Sequence, residues 1–114
     1  MKGPIADHAR LLHISEAIDY VQDFLKNKSK DDFLSDTMLR FAVERQLEII
    51  GEAANHLSDD LKENFNEIEW RKIVSFRNFL VHEYFGIDIE LVWDIATTKL
   101  LPLQTVVRRI LEIQ

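Results

Sequence analysis

The chain has 114 residues, 46% of them hydrophobic and 30% charged, with only 3 Gly and 2 Pro. This composition favours one helical domain over residues 1–114 and argues against a fold with many turns. The chain has no Cys, which excludes disulfides, zinc–thiolate sites and a cysteine nucleophile. A net charge of −6 argues against broad nucleic-acid binding and leaves room only for a focused cluster of cations, such as Arg71, Lys72 and Arg77.

The sequence gives no sign of a membrane segment. No stretch approaches the ~20 consecutive apolar residues of a membrane span, and the start of the chain has no apolar signal core. We therefore expect a cytoplasmic protein without a membrane partner.

The first two predicted helices are amphipathic. Apolar residues at steps of three and four predict helix one from about Asp7 to Lys26. After a polar break, a second apolar stripe predicts helix two from its N-cap Ser35 to about Leu57. Gly51 lies inside helix two, where glycine costs helix stability, so we expect it to admit a neighbouring helix at close range.

Two further helices complete the predicted fold. After a short helical or irregular stretch, Asn66 is predicted to cap helix three, which should end by Gly86. Asp88 is predicted to cap the last helix, which Pro102 should kink or restart because proline lacks an amide donor. With no segment of strand period and no repeat, the sequence predicts an all-α, four- to five-helix up-and-down bundle.

The segment 77–84, Arg-Asn-Phe-Leu-Val-His-Glu-Tyr, carries the most chemical information. On one regular helix Asn78 and His82 share a face, whereas Arg77 and His82 point roughly 140° apart and do not meet on one small substrate. Either the helix unwinds near His82, or a second copy of the chain completes the site across a two-fold axis. We favour the second alternative, a homodimer.

Two arginines and two histidines at one cleft suit metal-independent cleavage of RNA. One imidazole would take the proton of a ribose 2′-hydroxyl, the other would protonate the leaving oxygen, and the guanidinium would hold the phosphate. Histidine suits both tasks because both of its protonation states exist near neutral pH. By spacing alone, an Arg-Asn pair near a His is more often part of ordinary capping and helix–helix hydrogen bonding, and Tyr84 more often a core-edge residue.

The remaining histidines and carboxylates do not form a metal-binding pattern. His8 and His13 are five residues apart, whereas a spacing of three or four places two ligands on one helix face, and His56 has no evident ligand partner. The acidic residues between positions 59 and 69 are predicted to be exposed to solvent. We expect no metal and no cofactor.

Two segments of the sequence resemble a known family. The segment 77–84 and the earlier segment 45–54, Arg-Gln-Leu-Glu-Ile-Ile-Gly-Glu-Ala-Ala, are together similar to the HepT-like branch of the HEPN domain family. The similarity extends over nearly the whole chain. This resemblance implies a helical-bundle homodimer that acts as a ribonuclease toxin of a type VII-like toxin–antitoxin pair, with a minimal nucleotidyltransferase as its partner.

The resemblance also implies roles for single residues. In the family's Arg-x4–6-His motif the Arg and the His are catalytic, here Arg77 and His82, with Asn78 as an orienting neighbour. The tyrosine two residues after that His is the residue to which the partner adds AMP, here Tyr84. The added bulk and negative charge would exclude an anionic RNA backbone. The resemblance assigns no role to Glu52 or Arg45.

A second hypothesis is a non-catalytic helical binding partner. In that case the groove would dock a nucleotidyltransferase or a nucleotide, and Arg77 and His82 would only hold phosphate. Cleavage of single-stranded RNA by the purified protein separates the two hypotheses.

Overall fold

The computed structural model describes residues 3–82 and 86–113, and the side chains of Pro4, Val81 and His82 are not included. Within this part of the chain there is no β-strand, so the all-α prediction is confirmed. The elements in chain order are α1 (Pro4–Leu25), α2 (Lys30–Ser35), α3 (Thr37–Asn55), α4 (Asp59–Asn64), α5 (Trp70–His82), α6 (Ile89–Asp94), a π-helical segment (Ile95–Lys99) and α7 (Leu100–Ile113).

Long helical stretches form the bundle and enclose its core. Helix α1 packs against α3 and α7, and α3 packs against α5. The apolar stripes face inward as predicted, and Leu11, Ile14 and Ile18 of α1 are fully buried. Burial contributes about 1.5–3 kcal/mol for each side chain of this size. Packing of amphipathic faces therefore stabilises the predicted bundle more than helix propensity does.

The connection between α1 and α3 is more helical than the sequence predicted. The Ser29 hydroxyl accepts a hydrogen bond from the Asp32 amide at 3.1 Å, and the Ser29 amide donates to the Asp32 carboxylate at 2.9 Å. The hydrogen bond from the Ser29 amide to the carboxylate, and next a hydrogen bond from the Ser29 side chain, lower the pKa of Asp32 from its ordinary value of 3.8. The predicted cap at Ser35 was wrong: Ser35 ends α2, and Asp36 caps α3 by accepting a hydrogen bond from the Leu39 amide at 3.0 Å.

Helix α5 begins at Trp70, later than the predicted cap at Asn66 would place it. Residues 65–67 form a turn before the helix. The Trp70 indole donates a hydrogen bond to the Phe65 carbonyl at 3.1 Å. Burial of the large indole fixes the start of the helix, whereas the exposed Asn66 gains no packing. Tertiary packing therefore overrides the local capping signal at this helix start.

The last long helix is interrupted just before Pro102, the residue at which the sequence predicted a kink or restart. Asp88 caps α6 as predicted, because its carboxylate accepts hydrogen bonds from the amides of Glu90 and Leu91 at 3.1 and 3.2 Å. The break is the π-helical segment Ile95–Lys99, and Pro102 lies in the first turn of α7 just after it. A proline ring crowds the preceding turn, which accounts for a disturbance on that side. Over the described residues, none of the helices combines the length and apolar character needed to cross a membrane.

Candidate functional site

The two motifs that carry the resemblance meet where α3 crosses α5. A Cβ atom added to Gly51 would overlap the Cβ of Arg77, would lie 2.9 Å from its Cγ, and would lie 3.2 Å from the carbonyl oxygen of Ile73. No larger residue fits at this position unless α5 moves, so the predicted close approach at Gly51 is confirmed. The absence of a side chain at Gly51 thus sets where the Arg77 side chain begins.

The guanidinium of Arg77 is held by two neighbours. Its Nη2 lies 2.9 Å from Glu52 Oε2, and its Nη1 donates a hydrogen bond to Asn78 Oδ1 at 2.9 Å. The side chain is 29% exposed, so the charged group is partly shielded but still reaches solvent. The other oxygen of Glu52, Oε1, lies 3.0 Å from Nε2 of His56. One carboxylate therefore bridges a guanidinium and an imidazole.

A cleft of about 410 Å³ opens beside Arg77, between α1, α3 and α5. We name it the charged groove, after its lining residues Arg10, His13, Arg45, Glu48, Glu52, His56 and Arg77, with Ile49 and Ala53. Three arginines against two glutamates leave a local charge of +1 with the histidines neutral, on a chain whose net charge is −6. The local charge is thus opposite in sign to that of the whole molecule, which suits an anionic ligand.

The cluster of cations differs from the predicted one. Lys72 pairs with Glu69, with 2.9 Å between Nζ and Oε2, and neither Lys72 nor Arg71 lines the charged groove. Arg10 and Arg45 join Arg77 there instead. The prediction took neighbours along the chain, whereas the groove is assembled from three helices that only the tertiary fold brings together.

A second groove lies along a different face of the same α3–α5 pair. Its volume is about 480 Å³, and we name it the apolar groove because most of its lining is apolar. That lining includes Leu47, Ile50, Ile73, Phe76, Leu100 and Leu103. One face of the α3–α5 pair is therefore charged, and another face is mostly apolar.

The predicted site residues divide into those that the structure places and those that it does not. Arg77 lines the charged groove and donates a hydrogen bond to the neighbouring Asn78. The backbone of α5 is helical up to His82, so no unwinding occurs before that residue. The side chain of His82 and the whole of Tyr84 lie outside the described residues.

Several groove residues were missed by the sequence reasoning. His56 follows Glu52 by four positions, a spacing that places both on one helix face and could have indicated the pair. Arg10 and His13 are three positions apart on α1, but nothing in the local sequence connects them to Arg77. Among the described residues, no group of three or more His, Asp or Glu side chains is placed to hold a metal ion.

Comparisons with known proteins identify relatives of the chain. A family model described as "Ribonuclease HepT-like" matches residues 14–110. The chain is 42% identical over 88 residues to "Putative RNase MJ1380" of Methanocaldococcus jannaschii, which is 77% of the chain and 81% of that protein. It is 42% identical over 80 residues to "Probable ribonuclease HepT" of Thermococcus cleftensis, covering 70% of the chain and 73% of that protein.

A longer relative contains a similar region within a larger protein. Over 102 residues the chain is 35% identical to "Gamma-glutamylcyclotransferase and putative RNase MJ0434" of Methanocaldococcus jannaschii. The match includes 90% of the chain but spans only 46% of that protein. No solved structure matches the chain.

Proposed function

The chain belongs to the ribonuclease HepT-like family, and from that membership we propose that it is a cytoplasmic endoribonuclease toxin that cleaves RNA without a metal ion. The observation that supports this most directly is the setting of Arg77. Its guanidinium is oriented by Glu52 and Asn78 at a cleft of reversed local charge. A planar cation fixed in this way is suited to holding a phosphate group through paired hydrogen bonds.

The proposed reaction is an attack of the ribose 2′-oxygen on the adjacent phosphorus. One His82 imidazole takes the proton of the 2′-hydroxyl as the new O–P bond forms. The bond from phosphorus to the 5′-oxygen breaks, and a second, protonated His82 supplies the proton to that leaving oxygen. Arg77 stabilises the negative charge that grows on the non-bridging oxygens, and Asn78 orients its guanidinium.

This chemistry requires two copies of the chain. Positions 77 and 82 lie ~140° apart around a regular helix, so one copy does not present both to the same phosphate. We propose a symmetric homodimer in which two α5 helices face each other and each phosphate contacts groups from both copies. Sedimentation of the active protein as a monomer would contradict this arrangement.

The test is RNA cleavage by purified protein in the presence of a metal chelator. We expect single-stranded RNA to be cut, and we expect Arg77→Ala and His82→Ala to lower the rate by about 10²–10⁴-fold while remaining folded. Arg71→Ala is the matched control, since Arg71 is an exposed arginine of the same helix outside the charged groove. Uncut RNA with the unaltered protein would contradict the proposal and favour a non-catalytic partner that docks a nucleotidyltransferase or a nucleotide.

We further propose that a minimal nucleotidyltransferase neutralises the toxin at Tyr84. The Tyr84 hydroxyl would attack the α-phosphorus of ATP, pyrophosphate would leave, and the resulting AMP group would place bulk and negative charge beside the RNA site. Mass spectrometry after co-expression should show one or more AMP groups on the peptide containing Tyr84. Tyr84→Phe should remain unmodified and active, and modification at another residue would contradict this mechanism.

A further inference from the structure

We propose that Arg10 and His13 of α1 form a second phosphate subsite in the charged groove, which holds the RNA backbone next to the phosphate bound by Arg77. The inference rests on the proposed function for the identity of its substrate, RNA. The proposed subsite lies on α1, which forms one wall of the groove. Neither the two motifs nor the family resemblance assigns a role in substrate binding to this helix.

The first support is placement. Arg10 and His13 are three residues apart and therefore share one face of α1. Both line the cleft of about 410 Å³ that Arg77 lines from α5. This volume is within the range of about 300–1,000 Å³ that is usual for ligand pockets. Two walls of one cleft thus carry groups that bind phosphate.

The second support is the availability of these two side chains. Arg77 is paired with Glu52 at 2.9 Å, and Arg45 is paired with Glu48 of its own helix at 3.1 Å. Within residues 3–82 and 86–113, the side chains of Arg10 and His13 make no hydrogen bond or ion pair with another residue. Among the described residues, no carboxylate has to leave Arg10 before a phosphate binds there.

The third support is the rigid attachment of this part of α1. Asp7, one turn before Arg10, is only 4% exposed. Its carboxylate accepts hydrogen bonds from the Ser58 amide at 2.8 Å and from the Ser58 hydroxyl at 2.5 Å. These bonds attach the first turns of α1 to the start of α4. Arg10 therefore extends from a fixed segment, which lowers the entropic cost of binding.

The chemistry of both groups fits a phosphodiester. Arginine keeps its charge at all relevant pH values and presents several N–H donors to phosphate oxygens. The imidazole of His13 has at least one ring N–H that can donate to a phosphate oxygen in either protonation state. A mononucleotide and an RNA backbone both carry such a phosphate, so the experiment has to distinguish these two sources.

The experiment compares a dinucleotide, which has one phosphodiester, with an octanucleotide. With Arg10→Gln we expect the KM for the octanucleotide to rise about ten-fold with kcat nearly unchanged, and the KM for the dinucleotide to stay as it was. His13→Gln should show a smaller effect in the same direction. Arg71→Gln, which removes the same charge from outside the groove, should leave both substrates unaffected.

Salt dependence provides a second measurement. An octanucleotide with 2′-O-methyl groups cannot be cut, so its binding can be measured alone. The slope of log binding constant against log salt concentration should be smaller by about 0.7–1 for Arg10→Gln than for the unaltered protein. Equal behaviour of Arg10→Gln and Arg71→Gln would overturn the subsite, and so would an equal rise of KM for the dinucleotide. If 5′-AMP binds as tightly as the octanucleotide and its binding depends equally on Arg10, the subsite binds a mononucleotide and not the RNA backbone.

The outcomes separate this inference from the proposed function. If the protein cuts RNA normally and Arg10→Gln changes neither KM nor the salt slope, the subsite is wrong and the proposed function stands. If the protein binds the uncleavable octanucleotide through Arg10 but cuts no RNA, the subsite stands and the catalytic proposal fails. Circular dichroism melts of each variant show that any loss of binding is not a loss of folding.

Discussion

The charged groove and the apolar groove lie along the same pair of helices and are similar in size, about 410 and 480 Å³, but opposite in chemistry. Three consecutive residues of α3 show how this arises, because each position turns ~100° around the helix. Ile50 lines the apolar groove, Gly51 contacts α5, and Glu52 lines the charged groove. Residues that support the fold and residues that hold Arg77 are thus neighbours in sequence but lie on different faces of α3. Substitutions at these three positions should therefore change stability and RNA cleavage to different extents.

The largest effect is expected on the apolar side. Ile50 is 2% exposed, and Ile50→Ala should lower the free energy of unfolding by about 2–5 kcal/mol through lost burial and the cavity left behind. Urea unfolding measures this loss. RNA cleavage per folded molecule should remain unchanged under conditions where the variant is folded, and a loss of cleavage there would show that the apolar groove also contributes to function.

An intermediate effect is expected at the helix contact. Gly51→Ala should destabilise the fold by about 1–3 kcal/mol through overpacking against Arg77, offset in part by the gain of about 1 kcal/mol in helix propensity. Because the added Cβ displaces the base of the Arg77 side chain, RNA cleavage should fall together with stability. Gly51→Val should be worse in both measurements, and a Gly51→Ala variant more stable than the original chain would contradict the close contact.

The smallest effect on stability is expected on the charged side. Glu52→Gln removes the carboxylate that holds Arg77 and also removes a negative charge from the groove, so kcat should fall by about ten-fold or more while RNA binds more tightly. Glu48→Gln is the matched control, since Glu48 lines the same groove but pairs with Arg45 of its own helix. It should tighten binding without lowering kcat, and equal effects of the two substitutions would show that Glu52 does not position Arg77.

Much of the fold could be predicted because the apolar residues follow the helical period. The stripes through Leu11, Ile18, Val43 and Leu47 are buried as the spacing predicts. Helix ends were less predictable, because several residues compete for each cap and the outcome depends on packing. Asn66 has a favourable local sequence, but burial of the Trp70 indole determines where α5 begins.

The candidate site was predictable only in part. Arg77 and Asn78 were identified from one short motif, and the close approach at Gly51 followed from the cost of glycine in a helix. Arg10 and His13 could not be connected with Arg77, because that proximity depends on how α1 packs against α3 and not on any local spacing. The catalytic role of His82 and the modification of Tyr84 remain predictions.

The π-helical segment Ile95–Lys99 has a consequence for how this chain tolerates changes in length. Such a segment has more residues per turn than an α-helix, so it takes up one extra residue locally, and the helix after it keeps the facing that it would have without that residue. Val92 before the segment and Leu103 after it are both buried. A one-residue deletion that restored continuous α-helical winding here would leave both side chains on their present faces, whereas the same deletion in a regular helix would turn the downstream side chains by ~100°.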